Sequence, residues 1–443
     1  MKEPEFGYAR AADGAYIGYE VIGDGPIDLV WQVDWPGNID MERDSDLGRA
    51  WLEELSTFGR VILHDRRGVG LSSRNVELPN LETTASDLLT VLDAVGAERP
   101  VLTGIFSTGA TNILLAATRP ERVRAVVWIE PTPRFAWAPD YPWGRTRADL
   151  DAEFEVLDRW GTLDYGRDLI ADENARGNPL PDTDAVWFAK ASRNACTPDV
   201  ARGLSEIWYE TDVRGVLAAV SVPMLFLFKP GAEVAAQNEY VASLAPQAEV
   251  RHIPGGTWTV EDMEAGAKEV RAFVGAPPRS ADLDTVLSTV LFTDIVDSTA
   301  RQAALGDHRW KDVVQRHHAV VRDALERWHG VENDTAGDGF YATFDGPARA
   351  VRCALEVTER VRGLDVEVRA GVHTGECELI DGKHGGLTVS IGARVASQAG
   401  PSAVLVSQTV KDLTAGSGFT FEDAGEHELK GVPDVWRLYR VAG

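Results

Sequence analysis

The sequence predicts two consecutive α/β units: a doubly wound, mostly parallel sheet carrying a helical cap over residues 1–275, and a smaller unit over residues 286–443. Three observations predict this. Short apolar runs alternate with amphipathic helical stretches up to about residue 134, and the alternation resumes at "VPMLFLF". Between them, from about 135 to 215, polar helical stretches carry Trp137, Trp143, Trp160, Trp187 and Trp208, the pattern of a cap whose tryptophans pack it onto the sheet. Finally, "GAPPRSADLDT" is polar and Pro-rich, a linker at 276–285 ahead of a new apolar run.

Taken in order, "IDLVWQV" and "RVILHD" read as short buried strands, because they are apolar, β-branched and too short for helices. "TASDLLTVLDAVGA" has helical apolar spacing and ends on a glycine. "RPVLTGIF" is a further strand, "TGATNILLAATRPERV" a helix up to Pro120, and "RAVVWIEP" a strand again. After the cap, "VPMLFLF" and "AEVRHIP" complete the first sheet, and "VLSTVLFTDIV" opens the second unit. No internal repeat or low-complexity tract interrupts this order.

The chain of 443 residues has 44% hydrophobic and 26% charged residues, enough apolar mass for more than one core. Its net charge of −25 falls mostly in the first unit, about −19 before residue 286 and about −6 after it. So acidic a surface argues against nucleic-acid and anionic-membrane partners. It leaves room for a nucleotide, which needs only a local pocket. The 3 cysteines make no metal-type spacing, and the N-terminus has no apolar signal core, so the expected compartment is the cytoplasm.

"GIFSTGATNILLAATRPERV" places a serine near a tight strand-to-helix turn. With "HDRRGVGLSSR" before it and "RAVVWIEP" after it, the first unit resembles the α/β-hydrolase fold, in which a G-x-S-x-G turn exposes the nucleophile and an acid and a histidine follow. An ungapped fit from Gly104 to Pro120 puts Phe106 in the nucleophile slot and Ser107 one position late. The acid slot after "VPMLFLFKPG" holds Ala232, with Glu233 beside it, and the histidine slot after "IPGG" holds Trp258. His64 and His252 are the histidines of this unit, and both belong to strands. Asp34 stands near the usual oxyanion-loop glycine. Phe106, Ala232 and Trp258 thus replace the whole triad, and the resemblance implies a fold without its hydrolytic chemistry. What remains for this unit is a sensor for a small apolar ligand, a dimerisation platform, or an inherited scaffold.

In the second unit "STVLFTDIVDST" ends a strand on Asp294, and "HGVENDTAGDGFYATF" has the shape of a hairpin with Asp338 at a glycine-flanked tip. Two carboxylates on adjacent strand ends can share a pair of Mg²⁺ or Mn²⁺ ions. "FTDIVDST", "AGDGFYATF", "RAGVHTGE", "IGARVASQAGPSAVLVS" and "HELKGVPDVWRLY" occur in this order, and together they resemble the catalytic domain of class III nucleotidyl cyclases. That resemblance implies a ferredoxin-like α+β core and a head-to-tail homodimer with its sites at the interface. It makes Asp294 and Asp338 the metal-binding aspartates and Ile295 a metal contact through its carbonyl. Arg394 becomes the transition-state arginine supplied across the dimer, and Lys430 a triphosphate contact. The implied reaction is attack of the ribose 3′-oxygen on the α-phosphate of a nucleoside triphosphate, with pyrophosphate leaving.

The second unit departs from the family pattern where the base is read. Asp334 stands where a purine-reading lysine is expected, and Lys383 where its acidic or polar partner is expected. The two look like an exchange of charge that keeps one donor and one acceptor, and a simple ion pair or a shifted loop (with Asp381 two residues earlier) is the alternative. Ser390 replaces the transition-state Asn or His, and Asp297 adds negative charge at the phosphate-binding turn. The leading expectation is a cytoplasmic cyclase, slow or unusual, making cyclic AMP or less readily cyclic GMP. Its rivals are a nucleotide-binding signalling module with negligible turnover and, further off, an esterase.

Overall fold

The computed structural model describes residues 4–33, 37–175, 180, 182, 184–231, 234–253, 259–275, 285–380 and 383–442. The chain divides into two compact units, Met1–Asp282 and Leu283–Gly443. Residues 276–284 of the expected linker lie outside the described residues, and Thr285 already belongs to a strand.

The first unit is built on eight strands: β1 (Glu5–Arg10), β2 (Tyr16–Ile22), β3 (Ile27–Gln32), β4 (Gly59–His64), β5 (Val101–Ile105), β6 (Ala125–Ile129), β7 (Met224–Phe228) and β8 (Glu249–His252). Their order in the sheet is β1-β2-β4-β3-β5-β6-β7-β8. β1 and β2 pair antiparallel at one edge, and every pair from β4–β3 to β7–β8 is parallel. β5, β6 and β7 are buried along their whole length, because helices cover both faces of a doubly wound sheet. Between β6 and β7 come the helices Arg147–Val156, Leu163–Ala175, Asp184–Ala195 and Pro198–Glu210, which form the cap.

The tryptophans do not all pack cap against sheet. Trp160 is buried with the cap residues Leu150, Phe154, Tyr165 and Leu204, in a cluster that Val69 from outside the cap joins. Trp137 and Trp143 are 47% and 36% exposed, and Trp143 finds its ring partners in the buried Tyr141 and in Tyr240. An amphipathic indole can meet its packing need beside other rings without a core.

The second unit contains β9 (Thr285–Ile295), β10 (Val331–Ala336), β11 (Gly339–Phe344), β12 (Val368–Ile380), β13 (Lys383–Gly385), β14 (Val404–Ser407), β15 (Thr420–Glu428) and β16 (Val435–Ala442). The order is β10-β11-β9-β12-β14-β16-β15, with β13 paired to the end of β12. The first four strands, with the helices Asp307–Arg327 and Pro347–Arg360, form a βαββαβ core of ferredoxin-like order. Register sorts its side chains. Leu291 and Val372 share a face with Phe340, Ala342 and Ile295's core neighbours, which the two helices cover. Phe292, opposite both Tyr341 and Gly371, and Asp294, opposite Arg369, belong to the other face. The helix Leu387–Gln398 lies close on that second face: a Cβ on Gly371 would come within 2.1 Å of the Ala396 backbone nitrogen. No helix among the described residues is long and apolar enough to cross a membrane.

Candidate functional site

In the first unit, β5 ends at Ile105 and a short 3-10 turn, Phe106–Thr108, leads into the helix Gly109–Thr118. Phe106 sits at the tip with φ of 46°, a left-handed conformation that non-glycine residues take only when their surroundings enforce it. The enforcement is visible. The Trp128 indole donates to the Phe106 carbonyl at 2.6 Å, and the Thr108 hydroxyl bonds both the N–H and the carbonyl of Ile105 at 2.9 and 2.6 Å. Gly109 packs so closely on Trp128 that a Cβ there would come within 2.2 Å of the indole nitrogen. The Phe106 side chain packs against the sheet core, and Ser107 is half-buried on a cavity wall. The cavity measures about 30 Å³, room for two or three water-sized groups. His64 is buried at the end of β4, and burial pushes its pKa down to about 4. His252 is exposed at the end of β8. Ala232, Glu233, Trp258 and Asp34 lie outside the described residues.

The second unit brings Asp294, Ile295 and Asp338 together. β9 is the central strand of the βαββαβ core, and Asp294 is its penultimate residue. The β10–β11 hairpin turns through Gly337 (φ of 66°) and Asp338, and the Gly337 carbonyl is held by the His318 ring at 3.0 Å. Asp338 accepts from the Ile295 N–H at 3.2 Å and also bonds the Ser298 side chain. Burial, and then the charge of Asp294, push the Asp338 carboxyl above the usual range. A carboxyl held above its usual range beside a second carboxylate favours a cation at that place. Among the described residues no group of three His, Cys, Asp or Glu side chains could hold a metal. A Mg²⁺ ion is bound by one or two carboxylates and completes its shell with water and substrate phosphate. The donor set therefore fits such an ion.

Arg369, inside the "RAGVHTGE" stretch, was not among the candidate residues. It is the cross-strand partner of Asp294, and its guanidinium donates to the Asp294 carboxylate at 2.6 and 3.2 Å. Its sequence signal is a charge among the small and apolar residues that open β12, but only the β9–β12 register puts it beside Asp294. Asp297, after the strand, takes φ of 55° ahead of the helix Ser298–Leu305.

Ser390 and Arg394 are four residues apart on the helix Leu387–Gln398, hence on one face, and both are exposed. The Arg394 side chain donates to the Lys430 carbonyl at 3.0 Å, which joins the helix to the loop between β15 and β16. No hydrogen bond or ion pair connects this second set to Asp294 and Asp338 among the described residues.

Asp334 is exposed on β10 opposite Tyr341. Tyr341 stacks on Phe292 at 4.7 Å, and its hydroxyl donates to the His384 carbonyl at 3.3 Å. Lys383 opens β13, paired with Ile380, and its side chain lies outside the described residues, as does Asp381. Tyr341 thus links the strand of Asp334 to the residue after Lys383 within one chain.

A family model for the adenylate and guanylate cyclase catalytic domain matches residues 281–443, and one for the alpha/beta hydrolase fold matches residues 35–256. An uncharacterised protein of Mycobacterium tuberculosis is 29% identical over 150 residues, covering 33% of this chain and 52% of that protein. A receptor-type adenylate cyclase of Trypanosoma brucei brucei is 27% identical over 204 residues, covering 34% of this chain and 16% of that protein. The chain spans about half the length of the curated relatives it matches, or less. A bromoperoxidase from Bacillus anthracis superposes on 61% of this chain and 99% of its own with a TM-score of 0.51 at 21% identity, a likeness of fold alone.

Proposed function

This chain belongs to the alpha/beta hydrolase fold family through residues 35–256 and carries an adenylate and guanylate cyclase catalytic domain in residues 281–443; from that premise we propose that it is a nucleotidyl cyclase with a non-hydrolytic first unit. The observation that carries the reading is the convergence of Asp294, Ile295 and Asp338 at the end of the central strand. Asp294, Asp338 and the Ile295 carbonyl would hold two divalent ions, Mg²⁺ or Mn²⁺, which when bound would lower the pKa of the attacking hydroxyl and neutralise pyrophosphate charge. The chain's own residues do the rest. The O3′–Pα bond forms as the bond from Pα to the β-phosphate oxygen breaks, and the 3′-hydroxyl proton passes to solvent. Arg394 stabilises the equatorial oxygens of the transition state, and Ser390, one helical turn away, adds a hydroxyl donor. Lys430 binds the triphosphate, and Arg369 adds a cation beside the carboxylates that relieves phosphate repulsion there. Asp334 and Lys383 read the purine, ATP in preference to GTP.

In this reading Arg394 and Lys430 act on the carboxylate site of a second copy, so the working form is a homodimer. Phe106 at the elbow supports the non-hydrolytic reading of the first unit, since a phenyl ring supplies no nucleophile. The shorter, exposed Ser390 favours slow turnover, and a signalling module with nucleotide affinity alone is the second reading.

Complementation tests both the chemistry and the dimer. Asp338→Ala and Arg394→Ala are each expected to be inactive. Mixed and allowed to exchange, they should recover roughly a quarter of wild-type activity, because half of the dimers then hold one intact site of two. Failure to recover activity from folded, exchanging chains would refute the shared site.

A further inference from the structure

We propose, resting on the reading of Asp338 as a metal ligand, that His318 is a positioning residue for that site: through the Gly337 carbonyl it fixes which of two hairpin turns carries Asp338. Ala336 pairs with Gly339 across β10 and β11, so Gly337 and Asp338 are the central residues of a two-residue hairpin loop. Gly337 takes φ of 66°, and Asp338 is not one of the described non-glycine residues with positive φ. Positive φ at the first central position alone is the pattern of a type II′ turn, with glycine where that turn needs it. The other common hairpin turn, type I′, has positive φ at both central positions, and a glycine followed by an aspartate can adopt it as well. The two turns differ by a rotation of about 180° in the one planar peptide between Gly337 and Asp338. That rotation carries the Gly337 carbonyl to the opposite side of the turn. It also changes φ of Asp338, and with it the direction of the carboxylate.

His318 holds the very carbonyl that this rotation would move. Its Nε2 lies 3.0 Å from the Gly337 oxygen, and since a carbonyl only accepts, Nε2 carries the proton. The ring stands edge-on to Phe340, with 5.0 Å between centroids at 89°, which sets its direction. One helical turn on, Arg322 donates to both oxygens of Glu332 at 2.8 Å and lies over the same Phe340 ring, 5.6 Å from its centroid. The helix Asp307–Arg327 thus grips the hairpin near its base through Arg322 and at its tip through His318. The two grips differ in effect. The base contact steadies the hairpin whichever turn it has, whereas the tip contact exists in one turn and not in the other. A Cβ built on Gly337 would meet nothing within 4 Å among the described residues, so packing around the tip does not make the choice. In the turn that His318 selects, Asp338 accepts from the Ile295 N–H at 3.2 Å, at the strand end that carries Asp294.

The test uses the full chain with Mn²⁺ and 3′-deoxy-ATP, which lacks the attacking hydroxyl, so that metal binding is read without turnover. Bound Mn²⁺ is measured by electron paramagnetic resonance in wild type and in three variants. His318→Leu should weaken Mn²⁺ binding about threefold to tenfold, the effect of losing one hydrogen bond that selects the competent turn. His318→Gln, which keeps a side-chain N–H donor, should recover most of that loss. Arg322→Leu should lower the unfolding midpoint and leave Mn²⁺ affinity within about twofold of wild type. In wild type, a long-range ¹H–¹⁵N spectrum at about pH 8, where an ordinary imidazole is neutral, should place the His318 ring proton on Nε2, with His318→Gln assigning the signal. A proton on Nδ1 overturns the proposal even if His318→Leu fails to fold. So does equal Mn²⁺ affinity in wild type and folded His318→Leu, or an equal loss in the Leu and Gln variants, or as large a loss in Arg322→Leu. Each of these leaves the metal-site reading standing, whereas absence of Mn²⁺ binding in wild type overturns that reading and the role of His318 with it.

Discussion

Asp334 and Lys383 carry charges opposite to those the cyclase resemblance implies at their positions, and this is the most specific feature of the second unit. Asp334 shares a sheet face with Tyr341, whose hydroxyl reaches the backbone next to Lys383. If the two side chains meet at the base, each single exchange (Asp334→Lys or Lys383→Asp) places like charges together and should cost roughly 2–3 kcal/mol in kcat/KM. The double exchange should restore activity to at least the starting level. A double-mutant cycle with ATP and GTP measures the coupling, and additive losses would remove Lys383 from the base-reading role. At this scale the sequence is legible where a motif's spacing sets neighbours, as in the approach of Asp338 to the end of β9 beside Asp294. It is not legible where a role depends on pairing between strands. Arg369 is an unremarked charge in "RAGVHTGE" until the register sets it against Asp294. Likewise the Phe292–Tyr341 stack unites residues 49 positions apart, and only a hairpin returning to β9 makes them neighbours.

Among the elements, the helix Leu387–Gln398 carries Ser390 and Arg394, so its seat on the sheet fixes where both act. Glycine makes that seat. Gly371 on β12 leaves no room for a Cβ against the Ala396 backbone, and Gly392 on the helix meets Val290 at 2.4 Å and Phe292 at 3.2 Å from its would-be Cβ. Gly371→Ala must therefore lift the helix, with a cost of about 1–3 kcal/mol from overpacking. Denaturant unfolding should show that loss, and kcat should fall with it although residue 371 touches no substrate. Unchanged stability would mean that the helix is not seated through Gly371. The strands and helices flanking this contact follow from apolar spacing in the sequence, whereas the close approach does not, since a glycine on a strand equally marks a bulge. The elbow is a similar case. Alignment can set Phe106 at the tip, but its left-handed φ and the Trp128 and Thr108 bonds that hold it there appear only in three dimensions. The tryptophans of the cap show the converse. Composition suggests packing onto the sheet, yet Trp137 and Trp143 stay exposed, Trp143 with ring partners in Tyr141 and Tyr240.

For the molecule as a whole, buried histidines tie stability to pH. His373 is buried on β12 with its ring nitrogen 2.8 Å from the Ser407 hydroxyl, and burial pushes its pKa down to about 3. Its unfolded value is about 6.5, so between those values the unfolded chain binds more protons than the folded one. Stability is then fully present above about pH 6.5 and is lost as pH falls toward 3, by about 2 kcal/mol at pH 5 from this residue alone. His64 in the first unit acts in the same sense, whereas Asp65, raised by burial to about 6, gains stability on acidification and opposes it. His373→Gln should flatten the pH dependence of unfolding of the second unit between pH 7 and 5, and an unchanged slope would mean that the imidazole is already solvated. The central claim, that the second unit makes a cyclic nucleotide with Asp294 and Asp338 as its metal ligands, is tested most directly by product analysis. Purified full-length chain is incubated with ATP or GTP and Mn²⁺, and the 3′,5′-cyclic nucleotide and pyrophosphate are quantified by chromatography. The account predicts equimolar cyclic product and pyrophosphate from wild type, and none above background from Asp338→Ala. No cyclic product from wild type, or equal product from folded Asp338→Ala, would contradict it.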